Sequence, residues 1–364
     1  MIKQFNPSRL KLARTRRQLT LKALAEKVGL TPRMVSEYEK KYCEHIPPEQ
    51  TIDAFSKALG YPEDFFFISD DIEEVSPDTV SFRSLKSMKA AQQHAAIGAG
   101  SIALLINDYF ESKFNLPSVN IPDLRGVKPE VAAETLRELW KLGSQSISNM
   151  IHLLELHGVR VFSLAENTQS VDAFSFWKDN IPYVFLNTQK SGERSRFDAA
   201  HELGHLILHR HGIPQGKDLE AEADQFAAHL LMPKKTVLAH SNRYLSLEDI
   251  IGLKHNWKVS AMALIVHMKN VDGITEWHHR NLIIEASKKG LRSKEINGIE
   301  RETSLLLDKL LNSLKQEGIS IKDIATYLSL PLEEVTNLLF KVGVISGPNT
   351  PTGETKRPNL KLVK

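Results

Sequence analysis

The chain has 364 residues, which at about 150 residues per domain provides for two to three domains. Hydrophobic residues make up 41% and charged residues 25%, which excludes a wholly disordered or collagen-like protein. Cys43 is the only cysteine, so an intrachain disulfide scaffold and a four-cysteine zinc site are both excluded. The opening MIKQFNPSRLKLARTRR has charges but no apolar run behind them and does not read as a signal peptide. The longest near-apolar window, Ala95 to Ile106, is about 12 residues, too short to span a bilayer. The expected setting is soluble and cytoplasmic, with no membrane partner.

The net charge of +3 is unevenly placed. Residues 1–41 hold eleven Lys/Arg against three Glu, a local charge of +8, which leaves −5 on the remaining 323 residues. A basic head on a mildly acidic body suggests that one end meets a polyanion. The head also has a helical pattern. Leu10, Leu12 and Ala13 face inward on a helix over 9–17. Thr20 is placed to cap Leu21–Val28, where Leu21, Leu24, Ala25 and Val28 recur at helical spacing. Gly29 ends that helix, Thr31 caps the next, and Pro32 takes its first position, where no amide donor is needed. Another helix starts at Pro47-Pro48-Glu49 with the stripe Ile52, Phe55, Leu59; Gly60 closes it, and Phe65-Phe66-Phe67 seals a small core.

Over about residues 6–68 this head resembles the XRE family, the lambda-repressor/Cro type of DNA-binding domain. Arg14, Thr20, Leu24-Ala25, Gly29, Val35-Ser36, Glu39 and Leu59-Gly60 carry the resemblance. The family usually has Gln where Leu21 stands and a Gly near Lys41. The resemblance implies a helix-turn-helix on a double-stranded DNA operator. By position, Thr31, Arg33, Met34 and Ser36 would face bases, and Arg17, Lys22, Lys40 and Lys41 would face phosphates.

The middle reads as a connector. Residues 70–78 are acidic and turn-rich, a linker. A helical pattern is expected from Phe82-Arg83 through Phe114, then two helices over 131–142 and 147–157. Short runs at Val159–Phe162, Asp172–Phe176 and Tyr183–Leu186 read as strands of a small sheet. If Tyr183–Leu186 lies at the sheet edge, it can pair with an extended peptide.

A helix over 195–210 then carries His201-Glu202-Leu203-Gly204-His205. Histidines at i and i+4 share a helical face and can bring both imidazoles to one metal ion. Glu202, adjacent in sequence, is placed to act as general base on water. The next helix, over 218–231, offers a third ligand. Glu220 and Asp224 share a face, so Glu220 is the expected ligand, with Asp224 accepting a ligand-histidine N–H; Glu222 remains the alternative. Two histidines and a carboxylate suit zinc best and also bind manganese or iron(II). An oxyanion-stabilising donor is less defined; His229, Arg194 and Tyr183 are candidates.

Residues of about 80–290 resemble the ImmA/IrrE family of metallopeptidases, which occurs fused to XRE domains. The resemblance rests on Phe82-Arg83, Trp140-Lys141-Leu142-Gly143, Asn187, Arg196-Phe197, the His201–His205 motif, Leu208-His209, Glu220, Ala223, Phe226-Ala227-Ala228 and Leu230-Leu231-Met232-Pro233. Asp224 stands where Asn is as common. The resemblance implies a zincin-type fold, proteolysis inside the cell and a repressor as substrate.

Helices are expected over 245–255, 260–270, 276–290 and 304–315. His278-His279 reads as an exposed pair rather than a metal feature. Residues 319–340 have a second helix-turn-helix outline with little basic charge, so they read as a packing or dimer element. Residues 346–364 read as a mobile tail. The expected layout is mainly α with a small β-sheet (α+β). A helix-turn-helix domain occupies 1–69, a helical connector 70–143, a zincin-like domain 144–290, a C-terminal helical region 291–345 and the tail 346–364. The expected partners are operator DNA, a protein substrate and a second copy of the chain. Three readings remain: a regulator with a working peptidase, a transcription factor whose peptidase-like domain only senses or binds, and a peptidase whose head binds its substrate repressor rather than DNA.

Overall fold

The computed structural model describes residues 4–41, 46–68, 81–82, 89–164, 172–209, 217–242 and 244–342. The expected linker over 70–78 and tail over 346–364 lie outside them. Among the described residues no helix is long and apolar enough to cross a membrane.

Four helices and a 3-10 turn build the head: α1 (Pro7–Arg16), α2 (Leu21–Val28), α3 (Pro32–Tyr38), α4 (Glu49–Leu59) and the turn Glu63–Phe67. The expected punctuation is present. Thr20 Oγ accepts from Ala23 N, Thr31 Oγ accepts from Met34 N, and Gly29 closes α2 at φ 69°. Leu10, Ala13, Leu24, Val35, Phe55, Phe65 and Phe66 are buried together. Arg14 pairs with Glu39 at 2.6 Å, which ties α1 to the end of α3.

Behind the head, Ser81–Phe82 is a short strand, β1, and α5 runs Ala90–Glu111. This corrects the expectation of one helix from residue 82: Phe82 pairs with Phe174 in the sheet, and the helix starts eight residues later. α5 packs on α1 at Gly98, where a Cβ would come within 2.9 Å of the Arg16 side chain and 3.0 Å of Leu12. Next come α6 (Pro129–Leu139), α7 (Met150–Leu156), β2 (Arg160–Leu164), β3 (Ala173–Lys178) and β4 (Ile181–Asn187). Asp179 and Asn180, both at positive φ, form the two-residue hairpin between β3 and β4.

The sheet order is β1-β3-β4-β2, with β2 parallel to β4 and the other pairs antiparallel. β4 is therefore central, and the idea that Tyr183–Leu186 offers a free edge is corrected: both its sides are already paired. Strand alternation sorts the faces. Phe162, Phe174, Phe176, Tyr183 and Phe185 stack on one; Ser175 points from the other toward α8 (Gly192–Leu208).

The remaining helices are α9 (Lys217–Leu231), α10 (Lys234–Ala239), α11 (Leu247–Leu253), α12 (Ala261–Asn270), α13 (Glu276–Lys288), α14 (Leu305–Gln316), α15 (Ile321–Tyr327) and α16 (Leu332–Leu338). The arrangement as a whole is the expected α+β layout. α15 and α16 do form the helix-turn-helix outline, and α16 packs on β2 and α5.

Glu155, buried at the end of α7, caps α14. Its carboxylate accepts from Ser304 Oγ and from the amides of Leu305 and Leu306 at 3.2 and 3.0 Å. Glu155→Ala strands those buried donors and is expected to cost about 2 kcal/mol in urea unfolding. Burial pushes the Glu155 carboxyl from 4.5 up to about 7, against the pull of its donors. The folded chain thus holds a proton that the unfolded chain has released across that window. The wild type should lose stability as pH rises through it, and the variant should lose less.

Candidate metal centre

Two helices meet to build the site. α8 is buried along nearly its whole length and anchored by charge: Arg196 pairs with Glu302 and donates to the Ile147 carbonyl. α9 lies against it. Gly204 makes the approach possible, since a Cβ there would meet Phe226 at 3.0 Å and Ala223 at 3.2 Å. Buried Arg137 of α6 fixes the far end of α9 by donating to the Leu230 carbonyl at 2.5 Å.

This packing brings His201, His205 and Glu220 together, with one potential ligand atom from each inside a 4.8 Å span. The two Nε2 atoms lie 3.0 Å apart, and each is 3.4 Å from an oxygen of Glu220. The histidines are buried; the Glu220 side chain is 32% exposed, so the group opens on that side. Asp224 Oδ1 lies 2.8 Å from His201 Nδ1. An ionised carboxylate only accepts, so His201 donates to it from Nδ1, while its Nε2 faces His205 and Glu220. Two imidazoles and a carboxylate, converging and partly open, suit a divalent metal of the zinc type. Burial opposes ionisation of Glu220, but its contacts with His201 and His205 outweigh that and hold it at about 2. Burial lowers His205 to about 4.

Glu202 is fully buried beside this group. Its Oε2 accepts from Ser175 Oγ at 2.6 Å, and its Oε1 has no hydrogen-bond partner among the described residues. Burial pushes its carboxyl up to about 8, with His201 and Ser175 pulling the other way. Ser175 was not anticipated. The only signal was a small polar residue between Phe174 and Phe176, which puts it on the face opposite the aromatic stack.

Glu222, the alternative ligand, is not in the converging group. It lies 2.8 Å from His209 Nε2. The three oxyanion candidates are engaged elsewhere. Arg194 pairs with Asp172 at 2.6 Å, Tyr183 sits in the aromatic stack, and His229 packs edge-on to His267. His278 bonds the Leu245 carbonyl, a structural contact.

At the other end, Thr31, Arg33 and Met34 are exposed at the start of α3, and Ser36 is half-buried. Lys22, Lys40 and Lys41 are exposed on the same head, with Lys40 paired to Glu37. Arg17 departs from the expectation that it faces phosphate. Its Nη1 is 2.6 Å from Glu334 Oε1, its Nε donates to the Leu59 carbonyl, and its guanidinium lies over the Tyr61 ring.

Comparison with known families agrees with both ends. A family model described as helix-turn-helix matches residues 10–66, and one described as IrrE N-terminal-like domain matches residues 154–269. No curated protein matches the chain.

Proposed function

We propose that this fusion of an XRE-type helix-turn-helix domain with an ImmA/IrrE-like metallopeptidase domain is a DNA-binding regulator that carries a zinc-dependent endopeptidase. Its substrate is a repressor or another regulatory protein. The observation that carries the reading is the convergence of His201, His205 and Glu220 beside a buried Glu202 with one oxygen free. His201, His205 and Glu220 would hold the ion, with Asp224 fixing the His201 ring. Zinc bound there would supply activation of water and polarisation of the scissile carbonyl. In its ionised form Glu202 takes the proton from the attacking water on Oε1 and returns it to the leaving amine, while Ser175 holds the carboxylate in place. Burial of Glu202 between α8 and the sheet keeps bulk water from competing for that proton.

At the head, α3 enters the major groove with Thr31, Arg33, Met34 and Ser36 toward bases. Lys22, Lys40 and Lys41 hold phosphates. A cytoplasmic homodimer on a two-fold operator is the assembly that suits this motif.

The test has two arms. Purified protein should bind about one equivalent of zinc, and His201→Ala should lose it; repressors encoded beside the gene should be cleaved only by the zinc-loaded chain. Absence of bound metal, or metal without cleavage of any of them, refutes the peptidase half. In operator binding, Arg33→Ala should cost about 1–3 kcal/mol and relax sequence preference, whereas Lys41→Ala should lower the salt slope by about 1 without altering preference.

A further inference from the structure

On the reading that His201, His205 and Glu220 bind a metal ion, we infer that His209 and Glu222 form a positioning relay that holds His205 as an Nε2 ligand. His201 and His205 lie four residues apart in α8, and His209, four residues further on, is the residue that caps its C-terminus. His205 Nδ1 lies 3.0 Å from His209 Nδ1, and His209 Nε2 lies 2.8 Å from Glu222 Oε2.

The contacts fit one order of hydrogens, in which His209 donates from Nε2 to the Glu222 carboxylate. His209 Nδ1 is then bare and accepts. His205 must donate to it, so the His205 hydrogen sits on Nδ1. His205 Nε2 is left with its lone pair, and that atom faces His201 Nε2 at 3.0 Å. Asp224 imposes the same tautomer on His201 directly. In that order both Nε2 lone pairs and the Glu220 carboxylate would be offered to one cation. The relay therefore stores the ligand-ready form of His205.

Burial fits the role. The His209 side chain is nearly enclosed, while Glu222 is half-exposed, so the relay runs from the ligand outward to a solvated carboxylate. α9 thus uses alternate acidic positions differently: Glu220 would hold the ion, Asp224 contacts one ligand directly, and Glu222 reaches the other through an intervening imidazole.

The test uses the full-length chain, zinc affinity by competition with a chromogenic chelator, and the visible absorption spectrum of the cobalt(II) form. His209→Ala and Glu222→Ala should weaken zinc binding about 10- to 100-fold, and His209→Ala should shift the cobalt spectrum. His209→Asn places an amide oxygen near the former Nδ1 and should recover much of the affinity. Melting of the metal-free variants is followed in parallel; Glu222→Ala changes a half-exposed side chain and keeps the test readable if His209→Ala does not fold. The relay is overturned if the variants bind zinc as tightly as the wild type with an unchanged spectrum, or if Asn is as weak as Ala, which marks a packing role only. A wild-type chain that binds no zinc overturns the metal-site reading itself, and the relay with it.

Discussion

Glu202→Gln is expected to retain zinc at wild-type affinity and to lose peptide hydrolysis by about 10²- to 10⁴-fold. The two residues have the same shape. A glutamine oxygen can still accept the Ser175 hydroxyl, so the side chain should stay against β3. What it lacks is basicity on the oxygen that has no partner among the described residues. The ligands are untouched, because Glu202 is not among the three converging groups. Kinetics on a cleaved repressor, with metal content measured on the same preparation, decides the matter. Hydrolysis at the wild-type rate would move the general base elsewhere; loss of metal together with activity would make Glu202 a structural support for the ligands.

Much of this site is legible in the sequence because its geometry is local. Histidines four apart on a helix must share a face, and Glu220 and Asp224 repeat that logic on the next helix. The caps of α2 and α3 are equally local, and Thr20, Gly29 and Thr31 give them away. What the sequence hides is set by pairing between distant elements. Ser175 reaches Glu202 only because β3 crosses α8, and nothing in its neighbourhood specifies that crossing. The place of β4 at the centre of the sheet depends on β1 and β2 pairing on either side of the β3–β4 hairpin. Glu222 misled for a different reason. Helical register correctly separates it from Glu220 and Asp224, but its partner His209, the residue after α8, is reached only once α8 and α9 pack together. Arg17 likewise read as a surface cation because its partner is more than 300 residues away.

Glu334→Ala is expected to destabilise the chain by about 3–5 kcal/mol. Glu334 lies in the first turn of α16 and answers two arginines of the head at once. Its Oε2 takes Arg16 Nη2 at 2.6 Å and Nε at 3.2 Å, and its Oε1 takes Arg17 Nη1 at 2.6 Å. Arg16 and Glu334 are 3% and 4% exposed, so removing the carboxylate takes the ion pair away from a buried guanidinium, which also donates to the Ala95 carbonyl. Arg17 is 33% exposed and can turn to water, so it contributes little to the loss. The cost should therefore follow Arg16, and a double variant tests that directly. Arg16→Met with Glu334→Met removes both buried charges and should recover most of the stability, whereas independent roles would make the two losses add. The other end of α16 is held by β2, where Ser163 donates to the Asn337 carbonyl and accepts from the Phe340 amide. α16 thus links the sheet beside α8 to the first helix of the head. Urea unfolding of Glu334→Ala should show whether that link is cooperative. A single transition at lower urea means that head and peptidase domain unfold together, and two separate transitions mean that this ion pair was what joined them.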